Sequence, residues 1–219
     1  MKGIKLLVVG FFLVVGMATL ASAENFSTMV ELEEKWNLGI SSAAVIMEDN
    51  NDFLFDTGFN LQGLLSYDVT NWLALGCEVG WTRVDVSIDT NSLVSGSKFD
   101  LGTLNNVNVL GDIILKYPIE MGETVVVPYI TNGFGVVVPS LDESDLAGLA
   151  GVTVDVETAF LYKLGGGIDF YITEVLGLNV EASYQWASTS YDVKVRQTTF
   201  TADGDLNALY IGGGLKLKF

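Results

Sequence analysis

Apolar and polar side chains alternate, residue by residue, in segments spread along the chain from residue 36 to Phe219. Residues 73–81 show the pattern: leucine, cysteine, valine and tryptophan share one parity, and alanine, glycine and glutamate share the other. A repeat of two residues places successive side chains on opposite faces of an extended strand. No long apolar helix interrupts these segments, so the sequence predicts an all-β fold.

The alternation predicts eight strands. They cover residues 36–47, 55–67, 72–81, 104–117, 125–138, 157–171, 178–186 and 205–219. In the fifth segment both faces are apolar, so the pattern leaves its inward face undecided. Alternation continues through residues 191–196 and predicts that the last two strands extend outward as a ribbon.

The connections between these strands fall into two classes. Those after the second, fourth and sixth strands are short, at residues 68–71, 118–124 and 173–176, whereas the others are mostly longer and acidic. Short turns at one end and long loops at the other are typical of transmembrane β-barrels. The mean hydropathy of +0.41 agrees, because a closed barrel satisfies every backbone group of a sheet in lipid. The sequence therefore predicts an eight-stranded antiparallel up-and-down transmembrane β-barrel over residues 35–219.

The N-terminus has the pattern of a secretory signal peptide. Lys2 and Lys5 precede an apolar run over residues 6–17, and Ala21 and Ala23 then form a small-residue cleavage site. A spanning helix needs about 20 apolar residues, which is more than this run provides. The predicted organisation is a cleaved signal peptide at residues 1–23, a short lead at 24–34 and a barrel at 35–219.

Composition argues against several functions. The net charge of −16 disfavours a nucleic-acid partner. The chain has no histidine, which excludes catalysis by a Ser-His or Asp-His pair, and its single cysteine, Cys77, forms no internal disulfide. Residues 48–56 are acidic but lack the glycine that a calcium loop needs at its sixth position, so we interpret them as a solvated loop. We predict no enzymatic activity, no cofactor and no metal site.

Charged residues fall on the inward parity of the predicted strands. They are Glu78, Asp112, Lys116, Lys163, Asp169, Glu181, Lys216 and Lys218. An eight-stranded barrel has an interior that holds little more than side chains, so these groups must pair with one another or with trapped water. Glycine triplets at 165–167 and 212–214 are expected to make space for bulky inward neighbours or to bend the wall. A paired polar plug is the favoured interpretation, and an ion pathway is the alternative.

Aromatic residues cluster at the ends of the predicted strands. Tyr67, Trp72, Tyr117, Phe170 and Phe219 are expected near the periplasmic interface, with Trp81 and Trp186 near the outer one. At about 3.3 Å per residue and a tilt of roughly 40°, Trp72 and Trp81 would be about 22 Å apart along the membrane normal. This nearly matches an apolar band of about 25 Å between two aromatic girdles.

The last strand resembles the C-terminal assembly signal of bacterial outer-membrane β-barrels, with Leu215, Leu217 and Phe219 on one face. The segments FLYKLGGGIDFYIT, LGLNVEASYQW and LKLKF, with the eight alternating passes, resemble the small outer-membrane barrels of the OmpA, OmpX and OmpW types. The resemblance implies location in the bacterial outer membrane. It also implies contact with its lipids and with the barrel-assembly machinery.

Three functional hypotheses follow. The first is a structural or surface-interaction barrel with a polar plugged lumen, whose acidic loops contact a ligand or partner. The second is a narrow pore or a transport barrel for small or apolar solutes, as the resemblance to the OmpW type implies. The third is a secreted lipocalin-like barrel, which the outward bands of leucine, valine and tryptophan disfavour.

Overall fold

A computed structural model describes residues 35–48, 53–89, 98–122, 124–142, 152–195 and 198–219. Eight strands are long: β1 (Trp36–Met47), β3 (Gly58–Thr70), β4 (Leu73–Asp89), β5 (Lys98–Lys116), β7 (Thr124–Asp142), β9 (Ala159–Tyr171), β10 (Leu176–Val195) and β12 (Ala208–Lys218). Four are short: β2 (Phe53–Phe55), β6 (Ile119–Met121), β8 (Val152–Val156) and β11 (Thr198–Asp205). No helix in the described part of the chain is long and apolar enough to cross a membrane.

The eight long strands form a closed antiparallel ring. Each pairs with the next long strand in the chain, and β1 pairs with β12 from Asn37↔Lys218 to Met47↔Ala208. The ring closes at its very end, where Trp36 N donates to Phe219 O (3.0 Å) and Phe219 N donates to Trp36 O (2.9 Å). The predicted eight-stranded barrel is confirmed.

Several strand bounds differ from the prediction. β4, β5, β7 and β10 continue past the predicted bounds at the end away from the termini, and β10 alone spans 20 residues. There β10 pairs with both β8 and β11, which confirms the predicted outward ribbon. The predicted bounds end where the outward face stops being apolar; in β4, Arg83 and Asp85 are exposed on that face and Val84 is buried, although backbone pairing continues.

The strand ends near the turns and loops also need correction. Phe55 belongs to β2, which pairs with β4, so the second long strand begins at Gly58 and continues to Thr70. The predicted turn at 118–124 contains β6, which pairs with the start of β7. Residues 198–205 form β11, and the closing strand begins at Ala208. The predicted signal peptide (1–23) and lead (24–34) lie outside the described residues.

The outer face of the ring is apolar. Large hydrophobic side chains on the outward parity are widely exposed, from 37% for Ile168 to 64% for Phe160. Cys77 is exposed on this face. A continuous exposed apolar band marks a surface that contacts something other than water, and around a closed barrel this is the lipid-facing surface.

The inward face of the fifth long strand, which the pattern left undecided, is now assigned. Val127, Tyr129 and Thr131 of β7 are buried in the interior. Pairing with β9 on one side and β5 on the other fixes this parity, although Val126 and Ile130 on the opposite face are also apolar. A strand that is apolar on both faces carries no signal in its own sequence about which face points inward.

Candidate functional site

The interior of the barrel is divided into two halves of opposite character. One end carries Trp36 and Phe219, where the first and last strands of the ring meet, together with the short turns; in outer-membrane barrels this is the periplasmic end. The half of the lumen nearer this end, together with the lumen centre, holds the inward charges. The half nearer the long loops, here called the upper lumen, is mostly apolar.

A central cluster surrounds the Lys163 ammonium. Lys163 Nζ lies 2.6 Å from Glu78 Oε2, 3.1 Å from Asp112 Oδ1 and 4.0 Å from Glu181 Oε1. Thr131 Oγ1 donates a hydrogen bond to Asp112 Oδ1 at 3.2 Å. Lys163, Glu78 and Asp112 are almost fully buried. One cation thus holds together three carboxylates that come from three different strands.

Hydrogen bonds extend this cluster toward the periplasmic end. Tyr129 Oη donates to Glu181 Oε2 at 2.7 Å, and Asn179 Nδ2 donates to Tyr129 Oη and to Asp169 Oδ1, both at 2.8 Å. Lys216 Nζ then lies 2.5 Å from Asp169 Oδ2. The result is a continuous polar network from the lumen centre into the periplasmic half.

A second set of contacts lies beside this network. Lys116 Nζ is 2.5 Å from Asp68 Oδ1, and both side chains are buried. Lys218 Nζ lies 5.1 Å from the centre of the Tyr171 ring, whose hydroxyl donates to Asn37 Oδ1 at 3.3 Å. Aromatic rings attract cations through their faces, so Tyr171 supports a buried charge as well as filling space.

The eight charged residues that parity places inside the barrel therefore fall into two groups, the connected polar network and the second set of contacts. Glu78, Asp112, Lys163 and Glu181 form the central cluster, to which Tyr129 and Asn179 connect the Asp169–Lys216 pair; Lys116 and Lys218 lie in the second set. Sequence reasoning missed Asp68, which it assigned to a turn. The inward parity of Asn60 and Ser66 continues to Asp68 and could have identified it.

The glycines of β9 shape the network. A side chain on Gly167 would bring a Cβ within 2.7 Å of the Tyr129 hydroxyl. Gly167 therefore leaves the space that Tyr129 needs to reach Glu181. This agrees with the expectation that the glycine triplets make space for bulky inward neighbours. In the second triplet, a Cβ on Gly212 would lie 2.1 Å from Ser42 O, so the backbones of β1 and β12 approach closely there.

The upper lumen is lined by a buried apolar cluster. Its members are Val45, Met47, Val84, Val86, Leu104, Leu110, Val137, Ala159, Leu161, Ala187, Leu206, Ala208 and Tyr210. The expectation of a polar plug therefore holds only for the centre and the periplasmic half. The signal was present, because Val84 and Val86 share the inward parity of Glu78.

Three buried asparagines lie where the polar network meets the apolar cluster, and we call them the asparagine layer: Asn60, Asn106 and Asn108. Asn60 Nδ2 donates to Thr82 Oγ1 (3.0 Å), and Asn108 Nδ2 donates to Gln185 Oε1 (3.1 Å). The side-chain oxygens of Asn60, Asn106 and Asn108 accept no hydrogen bond from any described residue. An unsatisfied buried acceptor costs about 1–3 kcal/mol, so this layer favours a bound donor.

A small cavity lies beside the polar network. Its volume is about 10 Å³, and polar groups of Ser41, Gln62, Glu181 and Ser183 are among its lining. Glu181 Oε1 accepts no hydrogen bond from the described part of the chain. The cavity is close to the size that one water molecule needs. Among all the residues that the structure describes, no group of three or more His, Cys, Asp or Glu side chains is arranged to hold a metal ion.

The residues of the predicted aromatic girdles lie on the outer surface. Trp72, Phe170 and Phe219 are exposed at the periplasmic end, Tyr67 and Tyr117 are partly buried there, and Trp81 and Trp186 are exposed at the other end. Trp36, which the prediction did not include, contacts Tyr67 edge to face at 5.0 Å. On the opposite girdle, a row of rings runs across β7, β9 and β10, formed by Phe134, Phe160, Tyr162, Tyr184 and Trp186.

The predicted C-terminal assembly signal lies on the lipid-facing side of β12. The side chains of Leu215, Leu217 and Phe219 all point outward and are about half exposed. The backbone of Phe219 is paired with Trp36. In the finished barrel this signal is therefore part of the seam between the first and last strands.

Comparison with known proteins supports the architecture. The family model described as outer membrane protein beta-barrel domain matches residues 9–219. No curated protein sequence matches the chain.

Solved structures of small outer-membrane proteins are similar in fold. OprG from Pseudomonas aeruginosa is 11% identical with a TM-score of 0.66, over 87% of this chain and 98% of OprG. AlkL is 14% identical with a TM-score of 0.60, over 87% of this chain and 92% of AlkL. E. coli outer membrane protein W is 13% identical with a TM-score of 0.52, over 85% of this chain and 98% of that protein. At these identities the likeness concerns the fold.

Proposed function

Because the chain belongs to the outer membrane protein β-barrel family, and its barrel is of the OprG, AlkL and OmpW type in the bacterial outer membrane, we propose that it admits small apolar solutes from the extracellular side and is closed to ions. The observation that carries this proposal is the division of the lumen. The upper lumen is lined by the apolar cluster, while the centre is filled by the ion-paired network around Lys163.

The two halves treat solutes differently. Transfer from water to an apolar lining is favourable for an apolar solute by roughly 25 cal/mol per Å² of buried apolar surface. An ion would have to lose its hydration along the same lining, which is strongly unfavourable. Below it, Lys163, Glu78 and Asp112 fill the centre with groups that are already paired. The proposal therefore assigns selectivity to the upper lumen and closure to the centre.

An uptake assay tests this proposal. Cells that carry the protein should take up n-octane faster than cells without it. The variant Leu161→Gln places a polar group in the apolar cluster and should slow uptake, whereas Leu61→Gln, on the outer face, should not. Folding of each variant is checked by the shift of the unheated protein on a gel. Uptake that is unaffected by the protein would contradict the proposal.

A structural or surface-interaction role is the second candidate. It is favoured by the extent of side-chain packing in the lumen, where the residues of the apolar cluster are almost completely buried. In that case the cluster is only a core, and acidic loops would carry any contact with a partner. Expression that leaves octane uptake unchanged but alters envelope integrity would support this candidate instead.

The remaining interactions are also proposals. The outward face of β12, with Leu215, Leu217 and Phe219, is the surface we assign to the barrel-assembly machinery, and the exposed apolar band is assigned to lipid. Neither assignment involves catalysis or a cofactor. The absence of histidine from the sequence supports a non-enzymatic role.

A further inference from the structure

The asparagine layer forms one compact patch on the lumen wall. Strand register places Asn60 of β3 opposite Thr82 of β4, and Thr82 opposite Asn106 of β5. Asn108 is two residues further along β5, on the same face, opposite Gly80. The three side-chain oxygens therefore come from β3 and β5, on either side of β4, and line the same part of the lumen.

Two of the amide donors at this patch already have other acceptors. Asn60 Nδ2 donates to Thr82 Oγ1 and to Trp81 O, and Asn108 Nδ2 donates to Gln185 Oε1. Asn60, Asn106 and Asn108 are only 1%, 3% and 2% exposed, so bulk water does not reach their oxygens. The patch thus presents three acceptors without donors from the described residues.

The surroundings of the patch are apolar. Leu104 and Leu110 lie on β5 on either side of Asn106 and Asn108, and Val84 follows Thr82 on β4. All three belong to the apolar cluster, together with Val45 and Leu161 from other strands. A molecule that filled this region would meet apolar side chains over most of its surface and hydrogen-bond acceptors at one end.

We propose that the upper lumen binds a solute with an apolar chain and an uncharged hydroxyl group at one end, and that this group donates to one of the oxygens of the asparagine layer. The inference rests on the proposed function and specifies its substrate class. A plain hydrocarbon leaves the oxygens unpaired. A carboxylate brings only acceptors and a negative charge toward Glu78, Asp112 and Glu181, which already outnumber Lys163.

Binding of three six-carbon probes tests this inference. Hexan-1-ol, n-hexane and hexanoate are titrated into the folded protein in lipid nanodiscs, and dissociation constants are taken from the NMR shifts of leucine methyl groups, with empty nanodiscs correcting for partition. Hexan-1-ol should bind about fivefold more tightly than n-hexane, the ratio that one buried hydrogen bond typically gives. Hexanoate should bind most weakly.

A matched pair of variants locates the effect. Asn106→Leu removes one of the three acceptors from the layer and should reduce the preference for hexan-1-ol without weakening hexane binding. Asn105→Leu makes the same change one residue away on the opposite face of β5 and should leave the preference intact. The gel shift of unheated protein establishes that both variants are folded.

The outcomes separate the inference from the function on which it rests. Equal binding of hexan-1-ol and n-hexane, or a preference that Asn106→Leu leaves unchanged, would overturn the substrate class but leave apolar solute entry in place. Binding of none of the probes would mean that water alone occupies the patch and would overturn both.

Discussion

Lys163 determines whether the lumen centre is stable. Its ammonium contacts Glu78 and Asp112 and lies 4.0 Å from Glu181, in a region with almost no exposure to water. Three carboxylates at this spacing repel one another strongly when their cation is absent, because the interior screens charge poorly. The cluster is therefore stable when Lys163 and its carboxylates are all present, and removal of the lysine alone destabilises it.

Replacement of this lysine tests the point. Lys163→Met should lower the free energy of unfolding by about 3–5 kcal/mol, since it leaves buried carboxylates without their cation. Denaturant unfolding of the refolded protein, followed by tryptophan fluorescence, measures the loss. The double variant Lys163→Met with Glu78→Gln should recover part of it, because the second change removes one uncompensated charge. A loss below about 1 kcal/mol for the single variant would contradict this account.

At the scale of single residues, the sequence identified which charged side chains point inward, but it did not identify which of them contact one another. Parity alone places Glu78 and Lys163 inside the barrel. Their contact joins β4 to β9, which are not neighbours in the ring, and so depends on the barrel's diameter and stagger. Asp68 was missed because a local turn signal outweighed the continuing alternation. The oxygens of the asparagine layer are left unpaired by three-dimensional geometry that no local pattern records.

At the scale of elements, the seam between β1 and β12 depends on glycine. A Cβ on Gly212 would lie 2.1 Å from Ser42 O, and a Cβ on Gly214 would lie 2.1 Å from Ile40 O. These are backbone atoms that cannot move without breaking the pairing of the two strands. The seam therefore tolerates no side chain at these positions without a local shift.

Alanine substitution provides a direct test of this seam. Gly212→Ala should lower the free energy of unfolding by about 1–3 kcal/mol, the usual cost of overpacking. Gly63→Ala is the matched control in β3, because its nearest neighbour would be Gly39 O at 4.0 Å, and it should cause no comparable loss. Denaturant midpoints for the two variants give the comparison. Equal free energies of unfolding for the two variants would contradict this account, because they would show that the backbones of β1 and β12 move apart at little cost.

The alternation of apolar and polar residues predicted the type and order of the long strands correctly, but it did not predict where several of them begin and end. The eight strands were identified because half of each contacts lipid and half contacts the lumen. Beyond the membrane the outward face becomes polar, as at Arg83 and Asp85, so β4, β5, β7 and β10 are longer than their apolar outward faces suggested. The ribbon of β10 and β11 was predicted because alternation continues through residues 191–196.

At the scale of the whole molecule, the divided lumen predicts a barrel that does not conduct. The refolded protein should produce no discrete current steps in a planar lipid bilayer, because an ion would meet the apolar cluster and then the paired network. A porin of known conductance in the same membrane is the positive control. Reproducible steps from this protein would instead support the ion pathway considered from sequence.

The barrel as a whole could be predicted from sequence, but the division of its lumen was not. Inward charges stand out in an apolar chain and drew the prediction toward a polar plug. Parity with Glu78 places Val84 and Val86 inside, but their residue type does not differ from that of outward valines. Only the three-dimensional packing shows that Val45, Val84 and Leu161 belong to one apolar cluster.

The hydrogen bonds between Trp36 and Phe219 also have a consequence for biosynthesis. Along the chain, β1 is the first strand of the ring, and it finds its final partner only in the last strand of the ring, β12. Until β12 has been synthesised, β1 lacks that partner, and pairing across so long a stretch of chain is intrinsically slow. Every incomplete chain has a free strand edge that can pair with another molecule. Closure of the ring is therefore a late step in folding, and β1 must be kept from other partners until β12 is present.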